Sequence, residues 1–185
     1  TMRSFAHEKS TGTYEALMTT PVSNLQIVFS KFLASWIFYG LMWLPLWGFM
    51  VWLGQFFNDP EYLDAGIVGG TALGVMLLGG LFLAIGCLAS AATKSQLIAA
   101  MLALTLEMVL FMLSFVIELL PDQSGWQATL FGHICLFDHM GDFVRGIING
   151  SHLIFYFTGT GLFLFLTWRW VESRKCYVNM YPRQS

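Results

Sequence analysis

The sequence predicts an all-α, polytopic membrane protein. Four transmembrane helices are expected, with a short helix ahead of them and an amphipathic or re-entrant helix before the last. Composition is the first sign: the 185 residues are 56% hydrophobic and 16% aromatic but only 11% charged, whereas a soluble domain is nearer one quarter charged. Distribution is the second. Residues 32–58, 65–93 and 146–168 contain no Asp, Glu, Lys or Arg, and residues 95–121 contain only Glu107 and Glu118. Crossing hydrocarbon takes about 20 apolar residues, so each stretch is long enough, and a β-barrel would instead show alternating segments of ~10 residues. The mean hydropathy of +0.64 agrees, and a net charge of −2 argues against a nucleic-acid partner.

The elements follow in order. The first span is expected over 26–57, where Ser23 and Gln26 have the spacing of a capping box. Pro45 lies inside it and should kink it, because the ring removes a backbone hydrogen bond. This run is too long for a signal peptide and lacks a small-residue cleavage pattern. The second span, 65–92, carries Gly66, Gly70 and Gly74 one turn apart. That spacing lets helix backbones approach closely in lipid, within the bundle or against a second subunit. The third span, 95–120, is stopped by Pro121, and the fourth covers 153–171. Between them, 122–150 is too long for a tight turn. In it Phe137, Met140, Phe143, Val144 and Ile147 recur at helical spacing, as in a helix lying at the membrane surface. Residues 172–185 form a tail, and the whole of 1–185 reads as a single transmembrane domain.

Basic residues orient the chain. Arg3, Lys9 and Lys31 at the head, Lys94 in the second loop, and Arg169, Arg174, Lys175 and Arg183 toward the tail oppose a single Arg145 on the other side. Lys and Arg concentrate in cytoplasmic segments, so both ends of the chain are expected in the cytoplasm. The head segment "EKSTGTYEALMTTPVS" is then cytoplasmic. Gly12-Thr13 reads as a turn followed by an N-cap, Glu15 complements the helix dipole, and Pro21 ends the helix. Tyr14, Leu17 and Met18 share one face. Lipid-surface helices are usually rich in Lys and Arg, and this one has none after Lys9, which favours a protein groove.

Chemistry is sparse. Glu107 sits midway along the third span, where an ionised carboxylate costs at least ~2.5 kcal/mol, so it should face the bundle interior or water. His133, Asp138, His139 and Asp142 crowd the loop before the last span, and Asp142 with Arg145 is expected to form a surface ion pair. Their spacing is not that of a zinc site, and no metal ligands or catalytic residues are assigned. Cys87, Cys135 and Cys176 fall in a span, a loop and a tail, which gives no disulfide framework. No Walker A pattern is present, so any ATP that powers the protein is bound by another chain.

The head carries a specific likeness. Residues 3–34, "RSFAHEKSTGTYEALMTTPVSNLQIVFSKFLA", resemble the coupling segment of ABC transporter permeases of the type-2 exporter class. Arg3, Phe5, Ala6, Glu8, Lys9, Gly12, Thr13, Glu15 and Leu17 fit its first part, and the Pro21-Val22-Ser23 turn and Lys31-Phe32-Leu33-Ala34 fit its second. The segment "FDHMGDFVRGIINGSHLIFYFTGTGLFLFLTWRWVESRK" is similar to the last outer segment and final span of permeases of the gliding-motility and copper-maturation type. Such permeases have six spans, so the likeness is to their C-terminal two thirds.

The resemblance implies a permease subunit of an ATP-driven exporter in the plasma (inner) membrane. It implies an ABC ATP-binding subunit as partner, holding ATP and Mg, a second permease subunit, and no cofactor in this chain. Residues 1–25 would be the coupling segment, with Glu8, Lys9, Thr13, Tyr14, Glu15, Leu17 and Met18 at the ATP-binding subunit. Two other readings of the residues stand beside it. One is an intramembrane enzyme using Glu107 or the His/Asp loop, and the other is a non-transporting membrane anchor for an ATPase.

Overall fold

Long apolar runs become helices because hydrocarbon offers no water to bond an open backbone. The computed structural model describes residues 24–57, 65–93, 95–119 and 135–180. Outside them lie the head segment, with Glu8, Lys9, Thr13, Tyr14, Glu15, Leu17 and Met18, and the loop residue His133. The described residues form α1 (Asn24–Phe57), α2 (Ala65–Ala92), α3 (Gln96–Leu119), α4 (Leu136–Val144) and α5 (Gly150–Met180). Four of these are long and apolar enough to cross a membrane: Leu25–Phe56, Gly66–Ala92, Gln96–Val116 and Gly150–Ser173. The chain is therefore all-helical and multi-pass.

Pro45 lies inside α1, and the helix runs on past it. At 34 residues, α1 is about 50 Å long and exceeds the ~30 Å hydrocarbon core. The last helix extends beyond the predicted 153–171 in both directions. No proline interrupts its C-terminal part, and Arg169 meets Glu172 one turn on at 3.2 Å. Span hydroxyls satisfy themselves: Ser35, Thr71, Thr105 and Thr167 each donate to the carbonyl four residues back, the usual outlet for a hydroxyl in a helix.

The chain forms two compact units, and each long helix contributes a stretch to both. The first unit comprises Thr1–Ser35, Leu81–Glu107 and Gly159–Ser185. Its buried residues are small or apolar: Val28, Ala91 and Val171 pack with Ile27 and Leu164, and Phe32 packs on Ala84 and Cys87 beside Phe163. On α2, Ala84, Cys87 and Ala91 recur at helical spacing, so this face is shallow and neighbouring side chains reach close to the backbone. An apolar groove beside it is lined by Leu25, Phe29, Gly161, Phe165 and Trp168.

The second unit comprises Trp36–Gly80 and Met108–Thr158. Here α1 is tied to α2 by two side chains bonding to backbone. The Trp36 indole N–H donates to the Met76 carbonyl at 3.2 Å and the Tyr39 hydroxyl to the Val75 carbonyl at 3.3 Å. Gly79 and Gly80 make room for those rings, and a methyl group at Gly79 would run into the Tyr39 ring.

Candidate functional site

The second unit also holds α4, nine residues long and thus only about 13 Å. It is too short to span, and both its ends leave backbone groups in need of partners. At the N-terminus the cap residue Cys135 makes no side-chain cap bond. The hydroxyl of Ser114, from α3, takes that role by accepting the Leu136 N–H at 3.2 Å, while the Cys135 thiol points at the Ser114 carbonyl at 3.9 Å. Burial pushes the Cys135 thiol up from its ordinary value, which keeps it the protonated, unreactive form of a structural cysteine. Phe137 adds an aromatic tie, its ring centroid 5.0 Å from that of Phe111 and 6.4 Å from that of Phe115 on α3.

At the C-terminus the chain closes in a Schellman turn. The Gly146 N–H bonds back to Phe143 and the Ile147 N–H to Asp142, at 3.0 and 2.9 Å. This arrangement needs a left-handed residue after the helix, and Gly146 supplies it with φ of +75°. Space is tight as well: a Cβ at Gly146 would stand 3.1 Å from the backbone of Gly66.

The Gly66, Gly70 and Gly74 row on α2 faces this turn and helix. A Cβ on Gly70 would sit 2.6 Å from the Phe143 carbonyl oxygen, and one on Gly74 2.9 Å from the Phe143 ring. The row is thus a seat for the short α4. Its occupant touches it with backbone as well as side chain.

From α5 comes a polar clasp. His152 Nε2 lies 2.9 Å from Asp142 Oδ2, with the two side chains 11% and 34% exposed. His152 Nδ1 is buried with no hydrogen-bond partner among the described residues, so the fitting tautomer carries its proton on Nε2 and donates to the carboxylate. The buried His139 ring lies over His152 with centroids 4.0 Å apart, and Phe155 and Tyr156 meet His139 edge-on at 5.2 and 5.8 Å. Phe143 closes the cluster against His152 and Tyr156.

One expectation is corrected here. Asp142 meets His152 rather than Arg145, because the imidazole on α5 lies 2.9 Å from its carboxylate. Arg145 sits at the C-cap, exposed, with its N–H bonded to Gly141 and Asp142. The buried face of α4 is Leu136, His139 and Phe143, whereas Val144 and Ile147 are exposed. Nothing local in the sequence marks His152 as the partner of Asp142, ten residues away. The signal lies in Gly146, whose left-handed φ of +75° turns the chain after α4. Ser114 carries no local signal of its role.

Chemically this arrangement is a clamp. Three spans hold a short helix through a hydroxyl cap, a glycine seat and an imidazole–carboxylate bond. Among the described residues no three His, Cys, Asp or Glu side chains group to hold a metal ion. Glu107 is elsewhere. It lies midway along α3, half-buried, and its carboxyl group makes no hydrogen bond or ion pair among the described residues.

No curated protein and no solved structure matches the chain. The family described as "ABC-2 family transporter protein" does match, over residues 1–158. That match takes in the head segment, α1 to α4 with the glycine seat, and the first turns of α5, and it accords with the four apolar spans. The chain belongs to the ABC-2 family of transporter proteins, as a permease component that leaves ATP hydrolysis to a partner subunit.

Proposed function

We propose that the chain is the membrane-spanning part of an exporter, driven by a separate ATP-binding subunit that docks on residues 1–25. The observation that carries this reading is the family match, which begins at residue 1 and so includes the head segment. On this reading the segment between Gly12 and Pro21 passes the closing motion of the ATP-binding subunit to α1. Glu8 and Glu15 meet basic groups of that subunit, with Lys9, Thr13, Tyr14, Leu17 and Met18 completing the contact. ATP and Mg stay in the partner. Two permeases work as a pair by alternating access, residues 1–185 form one permease domain, and both ends face the cytoplasm of a plasma (inner) membrane, as the eight-to-one division of Lys and Arg favours. On that orientation α4 lies at the outer surface, where its clamp makes the surrounding stretches of α2, α3 and α5 respond together.

The test is recovery of partners from native membranes in mild detergent, wild type beside Glu8→Arg/Glu15→Arg. An ATP-binding subunit that copurifies with wild type and is lost from the double variant supports the docking surface. Equal recovery with both proteins removes it from residues 8–15, and no ATPase with either removes the exporter reading.

A further inference from the structure

The ring cluster between α4 and α5 holds two polar atoms that the clasp does not use. Both belong to α5 and both are buried: His152 Nδ1 and the Tyr156 hydroxyl oxygen meet no hydrogen-bond partner among the described residues. Tyr156 is fully buried. A hydroxyl enclosed in this way and left unbonded costs as much as a lost hydrogen bond, so buried polar groups are as a rule satisfied by protein or by an ordered water.

Sequence and packing bring the two groups to one place. His152 and Tyr156 are four residues apart on α5, so they stand one turn apart on the same face. A long helical side chain leans over the turn before its own Cα, which carries the Tyr156 ring toward His152. The rings of α4 agree, because His152 and Tyr156 both meet the same two of them. Their centroids lie 4.0 and 5.8 Å from that of His139, and 6.1 and 6.4 Å from that of Phe143. The two groups are also complementary. With its proton on Nε2, toward Asp142, His152 offers Nδ1 as an acceptor, and the tyrosine hydroxyl is both donor and acceptor. They do not bond each other directly, and polar groups that fall short of direct contact are commonly joined through a water.

We propose that His152 Nδ1 and the Tyr156 hydroxyl form a binding site for one internal water, which accepts the tyrosine O–H and donates to the imidazole. Two protein partners lie within the two to four that buried waters ordinarily have. An apolar occupant would leave both atoms unbonded, and a charged one would enter a site walled by rings. The water extends the clasp into a chain of four, Asp142–His152–water–Tyr156, running from the half-buried carboxylate of α4 to the fully buried hydroxyl of α5. Tyr156 is thereby a positioning residue: through the water it keeps the His152 proton on Nε2, where the Asp142 carboxylate accepts it. The inference goes beyond the exporter reading and does not depend on it.

The experiment takes the full chain in lipid nanodiscs, wild type beside Tyr156→Phe, which keeps the ring and removes only the hydroxyl. Hydrogen exchange across 136–147 reports how firmly α4 is held. Removing a bonded hydroxyl is expected to speed that exchange about fivefold. A hydroxyl with no partner gives the opposite sign: its removal leaves exchange unchanged or slower, and that result overturns the site. Nitrogen-15 NMR of labelled histidine adds a readout that packing alone does not move. In wild type, His152 Nδ1 is expected to give the signal of an unprotonated, hydrogen-bonded nitrogen and to receive magnetisation from a bound water. Tyr156→Phe is expected to shift that signal and to bring in the other tautomer. A signal that Tyr156→Phe leaves unchanged, or a wild type without transfer from water, means that no water joins the two groups and overturns the proposal.

Discussion

The two units solve the problem of association in lipid by opposite means. Around Val28, Ala84, Ala91 and Val171 the first unit packs apolar side chains against small residues of α2, and the buried Thr167 hydroxyl bonds within its own helix. Around α4 the second unit uses a hydroxyl, an imidazole, a carboxylate and bare glycine backbone. The difference follows from the elements being held. A spanning helix has satisfied its own backbone through the hydrocarbon, so it needs only shape from its neighbours, because lipid tails are as apolar as Leu. A nine-residue helix has a large share of its backbone groups at its ends. Shape alone would leave those groups unbonded, so its neighbours must supply acceptors and room.

This contrast can be broken most forcefully at the glycine seat. Gly70→Ala sets a methyl 2.6 Å from the Phe143 carbonyl oxygen, and backbone cannot rotate away as a side chain can. We expect a loss of about 1–3 kcal/mol, with hydrogen exchange rising across 136–147 and little change in the first unit. An unchanged exchange pattern would mean that α4 does not depend on its seat. Next comes the clasp. Asp142→Ala removes the acceptor from a largely buried imidazole donor at a cost of about 1–3 kcal/mol, whereas Asp142→Asn, with its amide oxygen turned to Nε2, should lose less. A equal loss in both variants would show that the full charge, and not the acceptor, holds the clasp. The smallest effect is expected from Ser114→Ala, about 1 kcal/mol as for the loss of a helix cap, read as faster exchange at the Leu136 amide alone.

The spans were legible because hydrocarbon imposes a single strong rule, length without charge, and 32–58, 65–93 and 146–168 obey it completely. The existence of α4 was legible from apolar spacing between Phe137 and Ile147. Its buried face was not, because apolar spacing alone suits a helix resting on lipid, and lipid would not cover His139. Packed spans do cover it, since His152, Phe155 and Tyr156 offer ring faces and edges that a histidine can use. The glycines at 66, 70 and 74 announced a close approach but not the identity of the visitor. Periodicity reports one side of a contact only. The head segment was readable through a motif rather than through physics, and its residues lie outside those described.

The two bonds that tie α1 to α2 set a measure of distance. Trp36 and Tyr39 stand three residues apart on one helix, while their acceptors, Met76 and Val75, are adjacent on the other. The donors are therefore spaced by about 4.5 Å of helix axis and the acceptors by about 1.5 Å, like the two unequal scales of a vernier. Side-chain length absorbs the mismatch at one setting. A slip of one residue in either direction shifts both marks by ~1.5 Å, well beyond the reach of bonds already at 3.2 and 3.3 Å. These stretches of α1 and α2 thus keep a fixed axial reading against each other, and a working stroke that preserves both bonds carries the two as a single ruled edge.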